Sequence, residues 1–291
     1  MGSRDSCEFH LEVDFRDFEL IQDWWGVGMR LSHRTNHVSL FVVVLFLLEG
    51  TFGKFVLAQD APPQNVAEWV SQLIKAEQLT VEYYDPAKPP KPFPGWTDFE
   101  FRLNYQYDYR MDWTQKKGGR VAVVVVPKYL KLDVPIKHHI QLPLTLKAER
   151  WYEAGLARHE LEHVRVGMHP RLEMLGKHLI SKVQRIEGMV DRPDDVTLPW
   201  VRTRLDAEMA ARRDAVLALV LGINQEIDKS TNHGATELPD RETFFSELYL
   251  KENLDQMKFP YLAQVLDLIT KPDYQKARVQ LQQLDRPEPP K

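Results

Sequence analysis

One cysteine, Cys7, stands in 291 residues. A lone cysteine excludes a disulfide framework and any thiolate metal site, so a metal in this chain has to be bound by His, Asp or Glu. An excess of basic charge is missing too: 38 Lys and Arg stand against 42 Asp and Glu, a formal net charge of -4. That balance excludes the strong positive field that would hold nucleic acid or an anionic membrane surface. No internal repeat is visible, and no apolar run reaches the ~20 residues of a membrane helix. What remains is 43% hydrophobic and 27% charged. This suits a soluble globular chain with a sizeable core, in one domain with additions or two small ones.

The longest apolar run, Val38 to Leu48, follows Arg30 and Arg34 and leads to Val56-Leu57-Ala58. A basic start, a short apolar stretch and a small residue at its end are the parts of a secretory signal, with cleavage expected between Ala58 and Gln59. Residues 1–28 carry Asp5, Glu8, Glu12, Asp14, Asp17, Glu19 and Asp23. This acidic stretch opposes the positive region that orients a signal, so Met29 is the expected true start. The expectation is an exported protein, periplasmic or secreted, with no membrane span once cleaved. Its segments would be an upstream leader plus signal peptide (1–58), a central folded domain (59–238) and a helical C-terminal extension (239–291). The helices of the extension offer a surface for a protein partner.

The spacing of Val66, Trp69, Val70, Leu73 and Ile74 predicts a helix over 66–78. After the proline-rich break "DPAKPPKPFPGW", the alternation in "FEFRLNYQYDYRMDW" predicts a strand. Lys117-Gly118-Gly119 then turns it back into "RVAVVVVPKYLKL" as a β-hairpin. "HHIQLPLTL" adds a third strand, broken by Pro143. From Lys147 the pattern becomes helical, through "KAERWYEAGLARHELEHVRV" to Gly167 as a C-terminal cap. Further helices are expected over 171–189 and from Pro199 to "TNHG", where Gly234 supplies a left-handed cap residue. An N-terminal antiparallel sheet followed by a helical C-terminal half is the α+β class.

The chemistry is concentrated in "ARHELEHVRVGMHP". His159 and His163 are spaced i, i+4, which places both imidazoles on one face of a helix, where they can share a tetrahedral Zn²⁺. Glu160 follows the first ligand, so its carboxylate can take a proton from a zinc-activated water. Ala157, Leu161, Val164 and Met168 form the opposite, apolar face. A catalytic zinc needs a third protein ligand. His169 has the histidine spacing of H-E-x-x-H-x-x-G-x-x-H, but Val166 stands where that motif has its glycine, and a β-branched residue resists positive φ. Glu208, with Asp206, could supply a carboxylate from the long helix, although Glu208 also pairs naturally with Arg212. His178 lies in an ordinary amphipathic helix. His233, at the end of the long helix, can project beyond it, with Asp228 and Thr231 placed to orient it.

The run "IQLPLTLKAERWYEAGLARHELEHVRVG", followed by "EIDKSTNHG", resembles a family of bacterial secreted predicted Zn-dependent proteases. Their domain is otherwise of unknown function. The matching features are Trp151, His159-Glu160-x-x-His163, and Asp228-x-x-Thr231-x-His233-Gly234, over roughly 79–234. Ile227 departs from the aromatic that often precedes the aspartate. The resemblance implies a zincin-like metalloprotease site and raises His233 above His169 as third ligand.

The expected function is therefore an exported zinc metallopeptidase with a peptide or protein substrate, using Glu160 as general base and Zn²⁺ on His159, His163 and His233. His138, His139 and Tyr152 are candidates for stabilising an oxyanion, and Glu162 for supporting His159. Two other functions suit the same residues: a zinc amidase or carboxypeptidase acting on cell-wall peptides, and a non-catalytic zinc-stabilised binding domain.

Overall fold

Alternating side chains make the first half of the chain a set of strands, and helical stripes make the second half a set of helices. The structure, a computed structural model, describes residues 7–9, 65–87 and 94–279, which fall in one compact unit. The acidic leader, the signal sequence with its cleavage site after Ala58, and the tail from residue 280 lie outside the described residues. The fold is α+β, as the order of patterns requires.

Two small sheets form. In the first, β1 (Cys7–Phe9), β4 (Asn104–Gln115), β5 (Val121–Asp133) and β7 (Ile186–Val190) lie in that order, all antiparallel. In the second, β6 (Ile136–Pro143) is central, parallel to β2 (Leu79–Tyr84) and antiparallel to β3 (Trp96–Phe101). The expected purely antiparallel sheet is thus two sheets, one of them mixed. The single strand expected over "FEFRLNYQYDYRMDW" divides at Arg102-Leu103 into β3, which pairs with β6, and β4, which pairs with β5, while the inward alternation of Phe99, Phe101, Leu103 and Tyr105 runs on across the break. The glycine turn between β4 and β5 is where the sequence places it, with Gly118 and Gly119 at φ 89° and 83°. Pro127 lies in β5 beyond the end of β7, which pairs only with Val121–Val125, so its missing N–H breaks no ladder there.

Helix α1 (Val66–Lys75) starts at Asn65, whose side chain accepts a hydrogen bond from Glu68 N at 2.9 Å. The metal-motif helix α2 (Gly155–Gly167) begins later than expected: two short 3-10 turns, Leu144–Leu146 and Trp151–Glu153, come first, and Gly155 opens the helix. Gly167 is not a left-handed cap. It is the last helical residue, and a side chain there would overlap the His138 ring, so close approach is what requires glycine. The helix expected over 171–189 is shorter, α3 (Pro170–Ser181), and Ile186–Val190 become β7, where pairing with β5 overrides local preference.

Helix α4 (Leu198–Thr231) has 34 residues and ends in three left-handed residues, Asn232, His233 and Gly234. Its stripe of Val201, Leu205, Met209, Val216, Val220, Ile223 and Ile227 is buried. Four short helices follow: α5 (Arg241–Glu247), α6 (Lys251–Gln256), α7 (Leu262–Ile269) and α8 (Pro272–Lys276). Buried residues of these helices, among them Phe245, Leu254 and Tyr274, and Tyr249 in the turn between α5 and α6 share one core with α3, α4 and the first sheet. A second core joins α1, β2, β6 and the apolar face of α2. No helix among the described residues is long and apolar enough to cross a membrane.

Candidate metal centre

The i, i+4 spacing within α2 sets His159 above His163, with Nε2 atoms 3.2 Å apart and rings edge to face. The opposite face of the same helix, Ala157, Leu161 and Val164, is sunk in the core with Trp69, Leu79 and Ile140. Rotating the helix to move the histidines would expose that face, so apolar burial aims the imidazoles.

The third group comes from α4. Asp228 Oδ1 lies 3.0 Å from His159 Nε2 and 3.1 Å from His163 Nε2. Among the described residues, His159, His163 and Asp228 are the group whose ligand atoms converge closely enough to hold a metal ion. A tetrahedral zinc with ligands at ~2.0–2.1 Å needs those atoms ~3.3–3.4 Å from one another. The three separations, 3.0, 3.1 and 3.2 Å, are only a few tenths shorter, so the donor set fits such a cation.

The neighbours of His159 fix its orientation. Thr231 Oγ1 donates to Ile227 O at 2.8 Å and accepts from Gly234 N at 3.1 Å. With its proton committed, this oxygen can only accept from His159 Nδ1, 3.3 Å away. That contact selects the imidazole with its proton on Nδ1, the form that leaves Nε2 for a metal. Gly234 has φ 80°, and a Cβ there would lie 2.8 Å from His159 Cγ. Only glycine lets the chain turn at that point against the ring.

Charge in the site favours a cation. Burial alone would raise the pKa of Asp228, but hydrogen bonds from His159 and His163 outweigh it and hold the carboxyl well below the usual carboxylate range. Burial likewise would lower the pKa of His163, but its hydrogen bond to Asp228 and the charge of Glu160 raise it. Two carboxylates, Asp228 and Glu160, therefore stabilise positive charge at the His163 ring.

Glu160 is 4% exposed, and its Oε2 accepts a 2.6 Å hydrogen bond from Thr97 Oγ1 on β3. The backbone of Gly95 closes over the other oxygen, since a Cβ there would overlap Glu160 Oε1. Burial raises its pKa, opposed by His163, by the Thr97 hydrogen bond and by His159. A raised carboxyl pKa brings the group nearer neutrality, where a proton acceptor is most effective.

The remaining candidates fall into place around this group. His233 lies at its rim, half exposed, with Nδ1 3.9 Å from Asp228 Oδ1, outside the tight set. The residue read in the sequence as orienting His233, Asp228, stands between the two histidines instead. His169 does not join them: it is buried as the N-cap of α3, accepts from Arg171 N at 3.1 Å and packs against Tyr249. Glu208 pairs with Arg212 at 2.7 Å, and Asp206 accepts from Tyr105 at 2.6 Å. Both sit about 30 Å up the helix from Asp228, too far to ligate with it. His178 is paired with Asp267 at 3.0 Å.

Of the oxyanion candidates, His138 is buried beside Phe99, with neither ring nitrogen hydrogen-bonded. His139 is engaged by Thr80 and Glu82, and Tyr152 packs edge-on against Trp151. Glu162, expected to support His159, is buried and accepts a 2.6 Å hydrogen bond from Arg241 Nε instead.

Two residues, Thr97 and Gly95, have no place in the sequence reading, and a third, Asp228, has there only the role of orienting His233. Thr97 and Gly95 meet Glu160 from across the chain and carry no local signal. Asp228 did carry one: a carboxylate adjoining the buried stripe of a long helix, beside Ile227. Compared with known proteins, the chain matches no family model, no curated protein and no solved structure.

Proposed function

We propose that this protein is an exported, zincin-like zinc-dependent hydrolase, most simply a metallopeptidase, with the ion held by His159, His163 and Asp228. The observation that carries the reading is Asp228 Oδ1 set 3.0 and 3.1 Å from the two Nε2 atoms, beside a buried carboxylate, Glu160, on the same helix as both rings. Zinc bound there would supply Lewis acidity, which activates water and polarises a carbonyl.

The chain's own residues supply the proton chemistry. Glu160, held by Thr97 and Gly95, takes a proton from the attacking water and returns it to the leaving amine. His233, at the rim and 53% exposed, is placed to contact substrate rather than to complete the metal set. The outer edge of β3, next to Thr97, can align an extended peptide by strand addition. Peptide amides and cell-wall peptides share this chemistry, so an amidase or carboxypeptidase activity belongs to the same reading.

The test is Glu160→Ala. Purified wild type should carry one zinc and cleave a denatured protein such as casein; the variant should keep the zinc and lose cleavage. Unchanged cleavage in the variant would sink the hydrolase reading. A wild-type chain with zinc and no cleavage of proteins or peptidoglycan peptides would favour the zinc-stabilised binding domain. Iron in place of zinc would assign the site to the two-histidine, one-carboxylate iron chemistry that also uses this donor set.

A further inference from the structure

The second metal histidine raises a question that the first does not. His159 has Thr231 at its Nδ1. His163 Nδ1 is buried, 7% exposed as a residue, and makes no well-formed hydrogen bond. An imidazole that offers Nε2 to a metal carries its proton on Nδ1. A buried N–H of that kind needs an acceptor. One buried acceptor nearby lacks a donor: Asn224 Oδ1, on α4, one turn before Asp228. The two orphaned atoms complement each other. Asp228, one turn further along α4, reaches His163 Nε2 at 3.1 Å, which sets this face of α4 against the His163 ring.

We infer that Asn224 is the positioning residue of His163, its Oδ1 accepting the Nδ1–H and thereby aiming Nε2 at the metal. The inference rests on the metal reading proposed above and adds a residue to it. Helix α4 then presents three side chains at i, i+4 and i+7: Asn224 orients His163, Asp228 is the ligand, and Thr231 orients His159. This is one helical face, since those spacings stack side chains along a helix. A single rigid element thus sets both the third ligand and the ring planes of the other two. An amide suits the position, because it accepts a hydrogen bond without adding a third negative charge beside Asp228 and Glu160.

The test is zinc affinity by competition with a chromophoric chelator, for the wild type, Asn224→Leu and Asn224→Asp. The leucine variant keeps the volume and removes the acceptor; its zinc dissociation constant should rise 10–100-fold, the range for loss of such outer contacts. The aspartate variant restores an acceptor and should bind zinc at least as tightly as the wild type. Leucine binding as tightly as asparagine, or aspartate binding as weakly as leucine, overturns the inference.

A measurement on the unaltered chain covers the case of a leucine variant that does not fold. In the long-range ¹H–¹⁵N spectrum of the zinc-loaded wild type, His163 should show a proton on Nδ1 protected from exchange. A freely exchanging Nδ1 proton overturns the inference equally. A wild-type chain that binds no zinc at all is a different result: it overturns the metal reading itself.

Discussion

Thr97 Oγ1 donates a 2.6 Å hydrogen bond to Glu160 Oε2, tying an edge strand of the second sheet to the carboxylate beside His159 and His163. That bond lowers the pKa of Glu160 against the rise that burial imposes. Thr97→Val should therefore move the acidic limb of the pH–rate profile to higher pH, because the unprotonated base would form later in the titration. Gly95→Ala places a methyl group on Glu160 Oε1. Activity should fall about 100-fold, as for a catalytic group displaced by ~1 Å. Zinc content should be unchanged in both variants; loss of zinc from either would mean that β3 supports the metal rather than the base.

Alanine variants of the histidines and Asp228 separate ligands from neighbours. Asp228→Ala should lose stoichiometric zinc, whereas His169→Ala should keep it, since His169 caps α3 instead. His233→Ala should retain zinc and lower turnover. If His233→Ala loses the metal and Asp228→Ala keeps it, the two residues exchange roles, and Asp228 is the orienting group.

Arg171 is fully buried and donates to four backbone carbonyls: Ser246 and Leu248 from Nη1, Tyr274 from Nε and Gln275 from Nη2. Tyr274 in turn donates to Tyr249 O, and Tyr249 to Val166 O in the metal-motif helix. The C-terminal helices are bonded to α2 and α3 through this chain. Arg171→Leu leaves those carbonyls without their donor and should cost about 3–5 kcal/mol, read from the urea midpoint. A loss below ~1 kcal/mol would show that water replaces the guanidinium there.

Burial lowers the pKa of His138 and of His169 from 6.5 to about 3. Their unfolded forms take up protons below pH 6.5 that the folded chain refuses, so stability is complete above that pH and declines as pH falls towards 3. The slope approaches about 1.4 kcal/mol per pH unit for each histidine. Urea melts in EDTA at pH 7.5, 6.5 and 5.5 should show this decline. His138→Leu should flatten it; an unchanged slope would mean that His138 is protonated in the fold.

Local signals were read well where a short-range rule produces the structure. The i, i+4 histidines, the glycine turn between β4 and β5 and the buried stripe of α4 follow from helix and strand periods alone. Misreadings occurred where a distant partner outweighs local preference. Ile186–Val190 carried helical character into a region that β5 captures as a strand. Gly167 looked like a helix cap, but its small size accommodates His138, which arrives from β6.

Composition and short-range spacing are enough for the α+β class, for two histidines on one helix face with a carboxylate beside them, and for restricting any metal to nitrogen and oxygen ligands. Each depends on composition or on spacing within one turn. Tertiary packing alone brings Asp228 between the histidines, sets Thr97 and Gly95 on Glu160, and bonds the C-terminal segment to α2 through Arg241 and Tyr249. These contacts depend on how α2, α4 and β3 pack, and packing follows from burial of whole apolar faces. Hydrophobic burial is non-directional, so sequence spacing cannot say which polar group it carries to a neighbour.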